Sequence, residues 1–168
     1  MAKNLEISFL LDFYGEMLTK KQHDFLIYYY DEDLSLSEIA ENEGITRQGV
    51  RDAIKRAENQ LFDMENRFVR TVVETSKSKK LGTVLKHFPG YGNNSDTHTG
   101  IAYDDRDYSE FENTDFKPFY QGIESGADCI LVSHNIVNCM DSEYPASLSQ
   151  KVHDILRNDF RFDGVIMT

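Results

Sequence analysis

The sequence predicts an α + α/β protein, with an all-α helix-turn-helix domain over residues 1–66 and a parallel βα unit of about three strands over residues 67–168. Three observations carry that division. Apolar residues as far as Leu61 recur at steps of three and four, the spacing of one helical face. Ser35, Gly44 and Thr46 punctuate this stretch as caps and turn. Beyond residue 80 the pattern changes to short apolar runs separated by helical segments, which is how the buried strands of a parallel sheet read.

In the first half, Ile7, Leu10, Leu11, Tyr14 and Leu18 form the apolar face of a first helix. Thr19 caps a second, Lys20 to Tyr30, with Phe25, Leu26 and Tyr29 inward, and the acidic Asp31-Glu-Asp33 ends it. Ser35 stands three residues before Glu38, a capping box, and Ile39 and Ala40 supply the apolar face of the short helix that follows. Gly44 allows a sharp turn, and Ile45 is expected to plug the core beneath it. Thr46 caps the next helix. Its inner face is Val50, Ile54, Ala57 and Leu61, and its outer face carries Arg47, Gln48, Arg51, Lys55 and Arg56.

A helix that opens Thr-Arg-Gln and bears a basic outer face fits a DNA recognition helix. Its first turn meets base edges while its cations meet phosphates. The alternative is a plain helical hairpin with a solvated charged face. Gly49 costs about 1 kcal/mol relative to alanine inside a helix, which reads as a close approach to a neighbour, a close approach to a phosphate, or no signal at all. Tyr28-Tyr-Tyr30 could form a stacking platform for single-stranded nucleic acid, but core and rim packing is the preferred reading.

In the second half the expected order is a helix from Arg67 to Lys80 with Phe68, Val72 and Val73 in register, then a strand over Gly82–His87 and a long loop. A helix over Asp115–Ser125, a strand over Cys129–His134, a helix over Ser147–Phe160 and a strand over Asp163–Thr168 complete it. Chemistry in parallel sheets sits at the carboxyl ends of the strands, where Lys86-His87, Ser133-His134 and Thr168 fall. In the long loop Asp96 and His98 are two residues apart, so the carboxylate can hold the imidazole in one tautomer as a general acid/base pair. Asp104, Asp105 and Asp107 read as a solvated acidic loop, and His23 and His153 as surface or boundary residues.

Hydrophobic residues make up 40% of the 168, enough for a core. The formal net charge is −11 and both halves are acidic, so any DNA contact must come from a local patch. Cys129 and Cys139 form no disulfide framework and lack metal-ligand spacing; Cys129 opens an apolar run and reads as a buried thiol. Neither a metal nor a cofactor is expected. No apolar stretch approaches the roughly 18 residues of a membrane span, and the N-terminus does not read as a signal peptide, so a cytoplasmic location is expected.

Leu11-Asp-Phe-Tyr-Gly15, Leu18-Thr-Lys-Lys-Gln22, Tyr28-Tyr-Tyr30, Asp33-Leu-Ser-Leu-Ser-Glu-Ile-Ala40 and Ile45-Thr-Arg-Gln-Gly-Val-Arg-Asp-Ala-Ile-Lys-Arg56 closely resemble the YlxM-like family over residues 4–66. These small bacterial proteins carry a helix-turn-helix like region 4 of sigma factors. The resemblance implies a DNA-binding regulator associated with the signal recognition particle pathway, with Thr46, Arg47, Gln48, Arg51 and Lys55 as DNA contacts. Duplex DNA or signal recognition particle components are the partners it implies.

Lys86-His-Phe-Pro-Gly-Tyr-Gly92, Asp96-Thr-His98, Asp115-Phe-Lys-Pro-Phe119, Leu131-Val-Ser-His134, Pro145-Ala-Ser-Leu-Ser149 and Phe162-Asp-Gly-Val-Ile-Met-Thr168 strongly resemble glycoside hydrolase family 3, in its β-N-acetylhexosaminidase branch. That resemblance implies a partial TIM barrel, with N-acetylhexosamine glycans as ligands. Lys86 and His87 would contact the sugar, and His98 oriented by Asp96 would be the acid/base of a retaining mechanism, which needs two groups flanking the scissile bond. The family's nucleophile lies in an Asp-Asp-Leu stretch after the Gly-Val-Ile-Met-Thr strand, beyond Thr168, so residues 1–168 are expected to be inactive as a hydrolase. The rival to the DNA-binding reading is a retaining β-N-acetylhexosaminidase whose nucleophile lies beyond Thr168, and the third reading is an amino-sugar binder that does not cleave.

Overall fold

A computed structural model of the chain describes residues 6–92 and 100–168. By internal contacts the chain divides into two compact units, Met1–Glu65 and Asn66–Thr168.

The first unit is helical. Helix α1 spans Glu6–Tyr14 and closes in a short 3-10 turn, Gly15–Met17. Helix α2, Lys20–Leu26, opens on a complete Thr19/Gln22 capping box and passes into a π-helical turn, Ile27–Asp31. Helix α3, Leu36–Glu43, opens on the Ser35/Glu38 box and ends on Gly44 at φ +63°, the left-handed cap that glycine adopts without a Cβ penalty. Helix α4 runs from Arg47 to Ser78. Thr46 caps it by accepting a hydrogen bond from the Gly49 N–H at 3.0 Å.

The core of this unit is Ile7, Leu10, Leu11, Leu18, Phe25, Leu26, Ile39, Ala40, Val50, Ile54, Ala57 and Leu61, with Tyr14 and Tyr29 packed at its margin. Two phenols tie the earlier elements to α4: Tyr14 donates to Glu65 at 2.6 Å and Tyr30 to Glu58 at 2.7 Å. Burial first, and then the carboxylate each one meets, push both phenols above their ordinary range.

Three expectations for this stretch change. Ile45 does not plug the core; it is 36% exposed, because the left-handed turn at Gly44 directs its N–H back to the Ala40 carbonyl. The separate helix expected from Arg67 is the continuation of α4, since nothing between Leu61 and Ser78 breaks the helical hydrogen bonding. Of its expected inward face only Val73 is buried, while Phe68 and Val72 are exposed.

The second unit is built on a three-stranded parallel sheet in the order β1-β3-β5, from β1 (Val84–Phe88), β3 (Cys129–Val132) and β5 (Val165–Met167). Its helices are α5 (Tyr108–Asn113), α6 (Phe116–Glu124) and α7 (Gln150–Asp154), the last continued by a π-helical turn, Ile155–Asp159. Register aligns Leu85, Ile130 and Ile166 across the sheet. These residues meet a core in which Phe88 stacks on Phe116 and stands edge-on to Phe119 and Phe160.

The neighbouring register row, Val84, Cys129 and Val165, points to the other face, which is less covered. Cys129 is therefore half-buried rather than buried. A second, two-stranded parallel sheet was not foreseen: β2 (Tyr103–Asp104) pairs with β4 (Ile136–Val137). Each strand is only two residues long, too short for any periodicity.

Candidate functional site

The basic candidates lie on α4. Val50, Ile54, Ala57 and Leu61 are buried, so the helix turns its other side outward, and Arg47, Gln48, Arg51, Lys55 and Arg56 are all exposed. Thr46 is exposed too, but its hydroxyl holds the helix cap. Gln48 donates to Asp52 one turn on, at 2.8 Å. A Cβ on Gly49 would come within 3.1 Å of Thr46 Oγ1, so the close approach expected at this glycine is to the cap itself. Arg47, Gln48 and Arg51 also line a cleft of about 510 Å³ together with Tyr29 and Leu36.

At the carboxyl edge of the sheet, Lys86 and His87 are exposed on β1, and His134 follows β3. The His87 imidazole is held below its ordinary pKa by desolvation, then by the Lys86 and His134 charges, and its ring stands 5.9 Å from Tyr91. The His134 Nδ1 lies 2.8 Å from the hydroxyl of buried Ser147, which fixes the ring's orientation. Asp96 and His98 lie outside the described residues. Among the described residues no group of three or more His, Cys, Asp or Glu is arranged to hold a metal ion, and no helix is long and apolar enough to cross a membrane.

Asp104 is not a solvated loop residue. It is 3% exposed and holds Arg106, whose Nη2 is 2.8 Å from one carboxylate oxygen and whose Nε is 3.1 Å from the other. The same guanidinium donates to Asp115 at 2.8 Å and lies 4.1 Å over the Phe111 ring. Burial opposes the Arg106 charge, but the two aspartates outweigh it, so its pKa stands above the ordinary value.

This ion cluster backs the turn after β1. A side chain at Gly90 would collide with the Asp115 carboxylate, and one at Gly92 (φ +52°) would meet Arg106 Cζ at 2.9 Å. The cluster therefore shapes the Pro89–Gly92 turn that carries Tyr91 to His87. Sequence reasoning missed it. Only the Asp-x-Arg spacing hinted at it, and that spacing alone is common.

Comparison with known proteins agrees with the two-part reading. Residues 1–88 match the family described as YlxM / p13 like, and residues 52–168 match the glycosyl hydrolase family 3 N terminal domain. A UPF0122 protein of Desulforamulus reducens is 43% identical over 86 residues, 51% of this chain and 74% of that protein.

Among solved structures, a fungal multi-domain family 3 beta-N-acetylglucosaminidase is 26% identical with a TM-score of 0.57, covering 60% of this chain. A family 3 beta-N-acetylglucosaminidase from Paenibacillus is 25% identical with a TM-score of 0.55, covering 58%. The chain spans only 13% and 19% of those two proteins. Each family match takes in more than half of the chain, so the chain belongs to both families. The matches overlap along residues 52–88, the stretch of α4 and β1.

Proposed function

We propose that this chain, a YlxM / p13 like protein over its first half, binds duplex DNA through Thr46, Arg47, Gln48, Arg51 and Lys55. One observation carries the reading. Directly after the Gly44 turn, α4 splits into a buried apolar face and an exposed face bearing Arg47, Arg51 and Lys55. On a chain of net charge −11 this is the local patch that DNA would require.

The test is duplex binding by fluorescence anisotropy across a salt series. Each phosphate contact contributes about 0.9 to the log–log salt slope. Arg51→Ala should weaken binding and flatten the slope by about one contact, whereas exposed Lys79→Ala should do neither. Equal behaviour of the two variants would defeat the assignment. Binding of RNA alone would also defeat it, and would favour association with the signal recognition particle instead. The DNA reading implies a cytoplasmic protein.

A second reading rests on its own observation, the gathering of Lys86, His87 and His134 at the carboxyl edge of the sheet. It supports an amino-sugar site in residues 67–168, with Lys86 and His87 binding the sugar and His98, oriented by Asp96, as acid/base. Calorimetric titration with N-acetylglucosamine tests it: His87→Ala should abolish any heat of binding.

A further inference from the structure

We propose that the cleft between the Tyr29 turn and the start of α4 is a subsite for a single unpaired nucleotide, sharing Arg47, Gln48 and Arg51 with the duplex-binding face and resting on that reading. Its lining combines an aromatic ring (Tyr29), an aliphatic side chain (Leu36), two guanidiniums (Arg47 and Arg51) and a carboxamide (Gln48). Its volume of about 510 Å³ lies in the range of small-ligand pockets, about 300–1,000 Å³.

An intact duplex can meet Arg47, Gln48 and Arg51 but gives Tyr29 nothing to stack on, because the faces of its bases are covered by their neighbours and only edges and phosphates are offered. An unstacked nucleotide offers all three complements. Its base face can stack on Tyr29, its phosphate can meet Arg47 and Arg51, and its base edge can meet Gln48.

The ring is held ready for that role. Tyr29 sits in the π-helical turn Ile27–Asp31, a geometry that recurs at functional sites. Tyr30, fixed by its hydrogen bond to Glu58, stands edge-on to Tyr29 with ring centroids 5.1 Å apart and an interplanar angle of 89°. A braced ring loses little freedom when a base stacks on it.

The adjoining hollow of about 360 Å³ shares Tyr29, Leu36 and Arg47 but also carries Asp33 and Glu38. That side is therefore the more acidic of the two, and the phosphate is assigned to the Arg47 and Arg51 side.

The test uses the full chain and four DNA probes: an intact duplex, the same duplex with one extra unpaired nucleotide, the same bulge made abasic, and a single strand. The bulged duplex should bind about tenfold more tightly than the intact one, the size of one base–aromatic stack. The abasic bulge should lose that gain on the unaltered protein, so the result does not depend on a variant folding. Tyr29→Ala should erase the preference, with intact-duplex affinity changing only as the folded fraction does, and Tyr29→Phe should keep it.

A single strand that binds as tightly as the bulge, and loses this in Tyr29→Ala, would assign the subsite to single-stranded rather than distorted duplex DNA. Duplex binding with no preference for an unpaired nucleotide, or a preference that survives either the abasic probe or Tyr29→Ala, overturns the subsite alone. Absence of salt-sensitive binding to every probe, with Arg51→Ala indistinguishable from the parent, overturns the duplex reading as well.

Discussion

The helical unit and the α/β unit place their candidate residues by different means. In the first, Arg47, Arg51 and Lys55 are the outer side of the helix whose inner side, Val50, Ile54, Ala57 and Leu61, is core. The helical repeat sets both faces at once, and the outer one can change without touching the inner. In the second, Lys86 and His87 stand on a strand tip followed by a turn that packs against the cluster of Arg106, Asp104 and Asp115. Binding and stability should therefore separate in the helical unit and be coupled in the α/β unit.

The largest expected effect tests that coupling. Arg106→Ala removes the guanidinium that Asp104, 3% exposed, and Asp115 both hold. Losing one partner of such a buried pair costs about 3–5 kcal/mol. Native-state hydrogen exchange should find protection of Ile130 and Val132 reduced by that amount, with Ile39 and Ile54 unchanged. Equal losses in both units would break the comparison.

Leu61→Ala is the converse. Leu61 is fully buried, and its truncation should cost about 2–5 kcal/mol, read as lost protection at Ile39 and Ile54 with Ile130 spared.

What was legible in the sequence follows the same division. The caps at Thr19, Ser35 and Thr46, the turn at Gly44 and the inward face of α4 were all readable, because each depends on residues within a few positions of one another. Ile45 failed because the turn, not its hydrophobicity, sets its direction. The three parallel strands were readable as apolar runs, but β2 and β4 were not, since two-residue strands carry no period. In the sequence Asp104 reads as a solvated loop acid and Asp115 only as the first residue of a helix. Their role appears only when Arg106 and Phe111 are brought to them by the fold.

Ser35→Ala removes the hydroxyl that accepts from the Glu38 N–H, worth about 1 kcal/mol for an N-cap. Thermal unfolding should report that loss, and intact-duplex affinity should change only as the folded fraction does. A drop in affinity at full folding would mean that the α3 cap reaches DNA directly.

The smallest expected effect is the response to acid. Hydrogen bonds from the Thr83 backbone N–H and hydroxyl hold the Asp128 carboxyl below its ordinary pKa, and the Ser149 hydroxyl, followed by the Glu143 N–H, does the same for Asp141. A carboxyl depressed in the folded state stabilises the fold above its unfolded pKa, and that contribution disappears as pH falls through the folded value. Circular dichroism melts between about pH 6 and pH 2, which spans the carboxylate range, should record the loss, and Asp128→Asn should flatten the acid limb. An unchanged limb would mean that the Asp128 carboxyl titrates alike in the folded and the unfolded chain.

The most direct test of the account is a backbone amide NMR titration of the full chain with a short DNA duplex at low salt. The amides of residues 46–56 should shift together, while those of residues 84–88 and 129–134 stay in place. Shifts confined to the second group, or none anywhere, would contradict the assignment of the α4 face to DNA.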